Sequence, residues 1–523
     1  MIKDSPDVCI IGAGLAGGLL AYELARRGVR VVLLEAGPRH DRGRRFSDME
    51  RALRGASPWE AVRARDGYTN AGSFTYPLNA TRVKGVGGTT LHWNATSLRM
   101  TESDFTMRSR FGLADDWPLT YEELEPYYVR AETELGVAGI ADNPFASPRS
   151  RPFPLPPFPL SYGDEHLRRA AADLDIVFHR VPYARNSIPF QGRPACMAFG
   201  TCASHQICPI VAQYTAEIHV DRALATGYAE LCTDAAVVRL NAEGRAVRSA
   251  TWIGPDRSER EQGARVFVLA AHAVESARLL LLSTSGDYSA GLGNGSGLVG
   301  RYLMEHPALY TSGHVPESLF PYRIGFHTTE SHQFIDVPDR DVASGFKLES
   351  LSHAGPTPAQ MAAASGSWGA DLSEEIRDTF GRQVTLIAMC EQLPDARNTV
   401  TLDPRVRDGF GNPVPCITFG WGAYEEGRRR QATDTMTAII ERLGGRHIIS
   451  SLPAEFKGCA HHMGTCRMGN DAETSVVDAN LRCHDVSNLY LAGSSVFVTG
   501  SIVNPSLTIA ALTLRLADHL RPA

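Results

Sequence analysis

Short unbroken apolar runs and apolar residues at helical spacing alternate along this chain, and their order predicts the elements. Asp7-Val-Cys-Ile-Ile11 and Val29-Arg-Val-Val-Leu-Leu34 are runs suited to buried strands, and Leu15 to Arg27 between them has helical spacing. The three together form a βαβ unit. Tyr121 to Leu135 predicts a helix, and the Pro-rich stretch from Asp142 to Leu160 predicts extended, partly polyproline backbone. Ala264 to Ala271 reads as a strand and Ala273 to Leu282 as the helix after it, a pair suited to re-entering the first sheet. From about Pro307 to Pro453 the pattern breaks into short strands and polar loops, with one long helix over Tyr424 to Leu443. A strand over Asn488 to Gly493 and an amphipathic helix over Ser506 to Leu520 close the chain. No internal repeat appears.

Between the first strand and its helix lies Gly12-Ala-Gly14-Leu-Ala-Gly17, and Glu35 ends the second strand. This is the dinucleotide fingerprint in its required strand-turn-helix context. Gly12 permits the tight turn, Gly14 lets a pyrophosphate approach the backbone at the positive helix end, and Gly17 lets helix and strand pack closely. Glu35 is placed to accept hydrogen bonds from ribose hydroxyls, and no arginine follows it to meet a 2′-phosphate, so FAD or NAD fits better than NADP.

At 523 residues the chain is long enough for about two domains. The net charge of -6 is small, with no long Lys/Arg run, which argues against nucleic acid as a partner. No apolar stretch reaches the roughly 20 residues that span a bilayer. The N-terminal residues show no charged, apolar and small-residue leader. The expectation is a soluble protein, cytoplasmic, or periplasmic if exported with a signal-bearing partner.

The choice between FAD and NAD rests on Val83-Lys-Gly85-Val-Gly87-Gly88-Thr89-Thr-Leu-His92-Trp93-Asn94. This segment resembles the Gly-x-Gly-Gly-Thr stretch of the glucose-methanol-choline (GMC) oxidoreductases, often followed by His-Trp, whose glycines bring backbone amides against the flavin and pyrophosphate. The resemblance extends to Val266 through Ser283, with His272 and Ala277 where glycine and proline are frequent, to Leu298 through Pro307, and to Asn398 through Pro404. It is fullest at the C-terminus: Cys-Ala-His461-His462-Met-Gly464-Thr465-Cys-Arg-Met468-Gly469, Val476-Val-Asp478, Asn488 through Phe497 with Gly493-Ser494, and Asn504-Pro505-Ser-Leu-Thr508. Within the family, the chain is similar to the large subunits of bacterial gluconate, fructose and FAD-glucose dehydrogenases and to pyranose oxidase-like enzymes.

The resemblance implies an α/β fold with a Rossmann-type FAD-binding domain and a discontinuous α+β substrate-binding domain built on an antiparallel sheet. The expected boundaries are 1–105, 210–306 and 454–523 for the first, and 106–209 and 307–453 for the second. It places the catalytic histidine at His461 and its active-site companion at Asn504, with His462 where proline is frequent. Flavin-dependent alcohol oxidation removes a hydroxyl proton and a hydride from the same carbon to flavin N5. A histidine near neutrality suits the proton, and an asparagine can position the oxygen. The expected cofactor-binding set is Gly12, Gly14, Gly17, Glu35, Gly85, Gly87, Gly88, Thr89, His92, Trp93, Asn94, Gly493, Ser494 and Pro505. In some sugar-oxidising relatives the histidine matching His92 carries the flavin covalently; the alternative is a histidine packed beside the ring.

Three of ten cysteines cluster in Cys196-Met-Ala-Phe-Gly-Thr-Cys202-Ala-Ser-His-Gln-Ile-Cys208-Pro209. The segment is similar to one that binds a [3Fe-4S] cluster in the dehydrogenase large subunits, although there the last two cysteines stand closer together. A cluster and a plain cysteine-containing loop both remain open, and zinc is a poorer fit. The function implied is FAD-dependent oxidation of a sugar, glycoside or polyol, with electrons passing to a non-oxygen acceptor through a small subunit, cytochrome or quinone. An oxidase that reduces oxygen to hydrogen peroxide, and a non-catalytic flavin-binding subunit, are the alternatives.

Overall fold

The computed structural model describes residues 6–54, 59, 61–72, 74–198, 200, 207–320, 324–351, 357–450 and 457–520. Its first layer is a parallel sheet in the spatial order Leu489–Leu491, Val266–Leu269, Val8–Ile11, Val31–Leu34, Ala229–Cys232. Both central runs, Val-Cys-Ile-Ile and Val-Val-Leu-Leu, are buried at every position, as expected of parallel strands covered on both faces. The helix Leu15–Ala25 is apolar nearly all round because it is itself enclosed, packing against the helices Glu217–Ala225 and Ser506–His519.

The second layer is an antiparallel sheet running Arg446–Ser450, Pro307–His314, Gln383–Cys390, Phe346–Ser350, Thr329–Ser331, His179–Arg180. The two-residue period of its strands sorts side chains between two faces. Leu309, Phe346, Leu348, Leu386 and Ala388 pack with Ala432, Met436, Ile439 and Ile440 of the helix Ala423–Arg442. The opposite face carries Tyr310, Ile387 and Glu349, which lie side by side across three strands, and Met389 beside Lys347. That second face looks toward the dinucleotide layer and forms a wall of the main cavity.

The α/β class and the antiparallel second sheet agree with expectation. The helix Tyr121–Leu135, grouped above with 106–209, packs against Ser506–His519, beside the dinucleotide layer. Thr399–Arg407 and Pro413–Thr418, grouped with 307–453, join Arg301–Met304, Met463–Thr465 and Thr69–Asn70 in a separate mixed sheet. Contacts between segments distant in the chain, helix packing in the first case and strand pairing in the second, produce these arrangements, and local periodicity carries no trace of them. Among the described residues, no helix is long and apolar enough to cross a membrane.

Candidate active site

A cavity of about 540 Å³ lies between the two layers. At one end Gly12, with φ +107, makes the turn out of the first strand, and a Cβ there would meet the Ala270 carbonyl oxygen at 2.4 Å. A Cβ on Gly17 would fall 1.9 Å from the Gly12 carbonyl oxygen, so that glycine sets how closely the helix lies on its strand. Gly14 faces the cavity, where a Cβ would find nothing nearer than Gly88 Cα at 3.9 Å. The buried Glu35 accepts from Ala13 N at 2.8 Å and Gly37 N at 2.9 Å, which fixes its carboxylate at the cavity edge.

The second glycine loop lies directly on the first: Gly87 N donates to Ala13 O at 2.9 Å, and Gly88 and Gly14 meet backbone to backbone. Gly88, Thr89, His92, Trp93 and Asn94 line the cavity, as do Gly493, Ser494 and Pro505 from the C-terminal segment. Gly17, Gly85 and Gly87 do not line it. A Cβ on Gly85 would press on Pro38 and His40, and one on Gly87 on Leu91 and Glu217, so these glycines shape the loop from behind.

This space fits a flavin dinucleotide. Gly493 has φ +114 and nothing within 4 Å of its Cβ direction, and the first turn of the helix Ser506–His519 opens into the cavity through Ser506 and Ile509. Helix N-termini carry partial positive charge that suits phosphate or an electron-rich ring. His92 Nε2 is buried without a hydrogen-bond partner among the described residues, and burial pushes its pKa down to about 4. Such an orphaned nitrogen is costly unless a bound group meets it.

His461 and Asn504 come together at the far end. His461 Nε2 lies 3.2 Å from Asn504 Nδ2, and His461 Nδ1 lies 2.9 Å from His306 Nδ1. The surrounding network assigns every proton. His306 Nε2 sits 3.0 Å from Ser501 O and 3.2 Å from Gly500 O, both pure acceptors, so Nε2 carries the hydrogen and Nδ1 accepts. His461 must therefore hold its proton on Nδ1, which leaves the Nε2 lone pair toward Asn504. Lys347 Nζ donates to Asn504 Oδ1 at 3.1 Å, which fixes the amide with its NH2 toward His461. Burial, His306 and the Lys347 ammonium together hold the His461 pKa well below the usual histidine value, so the ring stays neutral.

The loop that carries His461 is held by Glu305. Its Oε1 accepts from His461 N at 2.7 Å, His306 N at 2.9 Å and Cys459 N at 3.2 Å, while Tyr76 donates to Oε2. His462 turns the other way. Its Nδ1 lies 3.0 Å from His272 Nε2 and its Nε2 lies 3.2 Å from Thr81 Oγ1, so both ring nitrogens are taken. His272 sits at φ +72 and caps the following helix, the backbone conformation for which glycine is the usual choice.

Sequence reasoning passed over Lys347, Glu305, Glu349 and Tyr310. The pair Glu305-His306 sits inside a segment already matched to the family, the one local signal available. Lys347 and Glu349 gave none, being ordinary charged residues in a short strand. Trp368, Phe380 and Trp421, aromatics of the 307–453 stretch, do not line the cavity: Trp368 is 84% exposed, and Trp421 packs with Phe74 and Phe419. Cys208 and Cys196 connect to Trp93 through Gln213, which donates to Trp93 O at 2.6 Å, gives its backbone N–H to Cys208 Sγ at 3.4 Å and accepts from Arg185, itself a donor to Cys196 Sγ. Cys202 lies outside the described residues.

Comparison with known proteins places the chain in a family. The family model for GMC oxidoreductase (C-terminal part) matches residues 394–513, and that for FAD dependent oxidoreductase matches 7–47. The chain is 34% identical to the fructose dehydrogenase large subunit of Gluconobacter japonicus over 99% of its length and 98% of the relative's. It is 29% identical to 2-methyl-1,2-propanediol dehydrogenase of Mycolicibacterium austroafricanum, covering 99% and 95% of the two chains. The crystal structure of pyridoxine 4-oxidase from Mesorbium loti superposes with a TM-score of 0.67 over 99% of each chain at 21% identity, which shows a common fold. With the paired glycine loops, the His461–Asn504 end of the cavity and a full-length relative in agreement, the chain belongs to the GMC family of FAD-dependent oxidoreductases.

Proposed function

We propose that this chain oxidises a CH–OH group of a sugar, glycoside or polyol, with His461 as the base and Asn504 as its positioning partner, and passes the electrons to an acceptor other than oxygen. The observation that carries this reading is the pairing of an acceptor, His461 Nε2, with a donor, Asn504 Nδ2, 3.2 Å apart at the cavity wall. An alcohol hydroxyl complements both, donating its proton to the imidazole and accepting from the amide, and so replaces their direct bond. As the C–H bond breaks, the hydroxyl proton moves to Nε2, and the Nδ1–H bond to His306 steadies the resulting imidazolium. FAD held by Gly12, Gly14, Glu35, Gly88 and the Asn504-Pro505 turn would supply the two-electron acceptor for the hydride.

Two features support an acceptor beyond the flavin. The relative that is 34% identical is itself named a large subunit, which favours a further subunit as a partner here, and the family resemblance implies a cytochrome or quinone as the acceptor. The cysteine segment adjoins the cavity through Gln213 and Trp93. Cys208 Sγ accepts from Gln213 N, and Cys196 Sγ accepts from Ala198 N at 3.4 Å, donors of the kind that surround cluster-bound sulfur. Cys196, Cys202 and Cys208 are the ligands we propose for a [3Fe-4S] cluster, which iron and acid-labile sulfide analysis tests. His92 lines the cavity with an Nε2 that has no partner among the described residues, which supports contact with the flavin ring, and flavin colour retained by the denatured chain would reveal a covalent bond there.

The deciding experiment adds sugars, glycosides, polyols and simple alcohols to the holoenzyme without oxygen and follows the flavin absorbance. The expected result is bleaching by a polyhydroxylated substrate and, in air, dye reduction well in excess of hydrogen peroxide. Peroxide in step with turnover would assign an oxidase. No bleaching by any member would remove the catalytic reading.

A further inference from the structure

Lys347 is wholly buried, and its ammonium bonds three groups: Glu330 Oε2 at 2.9 Å, Glu349 Oε2 at 3.2 Å and Asn504 Oδ1 at 3.1 Å. By residue type, Glu330 and Glu349 with His179, His327 and His332 resemble the makings of a metal centre. The ammonium already supplies the positive charge between the two carboxylates. Lys347 lies on the strand Phe346–Ser350 and Asn504 on the turn before the helix Ser506–His519, so their contact ties the antiparallel sheet to the turn that bears the active-site amide.

Glu349 is the member of this group that reaches the cavity. Its Oε2 is taken by Lys347 and lies 3.4 Å from His327 Nε2, while its Oε1 has no partner among the described residues. Its cross-strand partners are Glu330 on one side and Ile387 on the other, with Tyr310 one strand beyond, and Ile387 and Tyr310 both lie on the cavity wall. Because Glu349 and Asn504 share one ammonium, Glu349 Oε2 lies within two hydrogen-bond lengths of Asn504 Oδ1, on the amide whose NH2 receives the reacting oxygen. A polyhydroxylated substrate brings a second hydroxyl within that span, and a simple alcohol does not.

We propose that Glu349 is a specificity-determining residue: its carboxylate accepts a hydrogen bond from a hydroxyl neighbouring the one held by His461 and Asn504, so the site favours vicinal diols over simple alcohols. Lys347 is the positioning residue that holds the two contacts at a fixed separation. The assignment rests on the reading of the cavity as an alcohol site. Losing a hydrogen bond to a charged acceptor weakens binding by roughly tenfold to hundredfold.

The test compares cis-cyclohexane-1,2-diol with cyclohexanol in the holoenzyme, by perturbation of the oxidised flavin spectrum and by anaerobic reduction. Wild type is expected to bind the diol at least tenfold more tightly. Glu349→Leu removes that preference by weakening the diol alone, and Glu349→Gln, which keeps the shape and a neutral acceptor, retains part of it. Unchanged flavin content in both variants shows that they fold. No preference in wild type, equal weakening of both ligands, or a preference that survives Glu349→Leu would overturn the proposal. Because binding is read without turnover, selective binding of a diol with no reduction by any alcohol would refute the catalytic reading while leaving the Glu349 assignment intact.

Discussion

His461 and His462 are adjacent, both are enclosed among other histidines, and burial holds both well below the usual histidine pKa, yet their surroundings give them different capacities. His462 is bracketed by His272 and Thr81, so each ring nitrogen has a permanent partner within the fold. His461 has one permanent partner, His306, and at its other nitrogen an amide that a hydroxyl can displace. A buried histidine becomes a usable base when one nitrogen is anchored by proton-fixing contacts and the other meets only an exchangeable one. Burial and a lowered pKa are common to both residues and so do not identify the base.

The sharpest way to break this contrast is to truncate each histidine. His461→Ala should slow flavin reduction by substrate about 10²- to 10⁴-fold, the usual contribution of a general base, with flavin content preserved. His462→Ala should cost less than about tenfold. Equal losses in stopped-flow reduction would show that the two histidines are equivalent.

Lys347→Met removes both the anchor of Asn504 and a charge that depresses the His461 pKa. Turnover should drop by about one to two orders of magnitude, as when a positioning contact is lost. The acidic limb of the pH–rate profile should move to higher pH, because the imidazole protonates more readily without the ammonium. Breaking the buried pair should also lower stability by about 3–5 kcal/mol, measurable by denaturant titration.

Glu305 supports His461 through the backbone and does not touch His462's ring. Glu305→Gln weakens the acceptor for three amides and mismatches Tyr76, with an expected stability cost of about 1–3 kcal/mol and a larger loss of turnover than of flavin binding. A smaller effect falls on both sides of the contrast alike. His272, His306, His461 and His462 all have folded pKa values below the unfolded value of about 6.5, His306 at about 4 and His272 at about 3. In that window the unfolded chain binds more protons than the folded one, so stability should fall as pH drops below about 6.5 and continue falling toward about 4. A melting temperature flat from pH 7 to pH 4 would contradict the assigned neutral rings.

What the sequence made legible follows the range of the constraint. Gly17 and Glu35 answer to contacts within one βαβ unit, and Gly12 to the positive φ of its turn, so their spacing carries the information. His461 and Asn504 could be placed because the segments around them match a family pattern, and the structure brings them together from opposite sides of the strand Leu489–Leu491. Lys347, Glu349 and Glu305 become part of the site only through pairing of strands far apart in the chain. Gly85 and Gly87 show the converse: the motif was visible, but which glycines line the cavity depends on what packs behind the loop.

The central claim is that His461 Nε2 is the base that takes the substrate proton. Anaerobic rapid mixing of substrate with wild type and His461→Ala across a pH series tests it most directly. The account predicts that wild-type flavin reduction declines at acid pH as the imidazole protonates, and that the variant is slow and lacks that limb. A variant that keeps both the rate and the acid limb would contradict it.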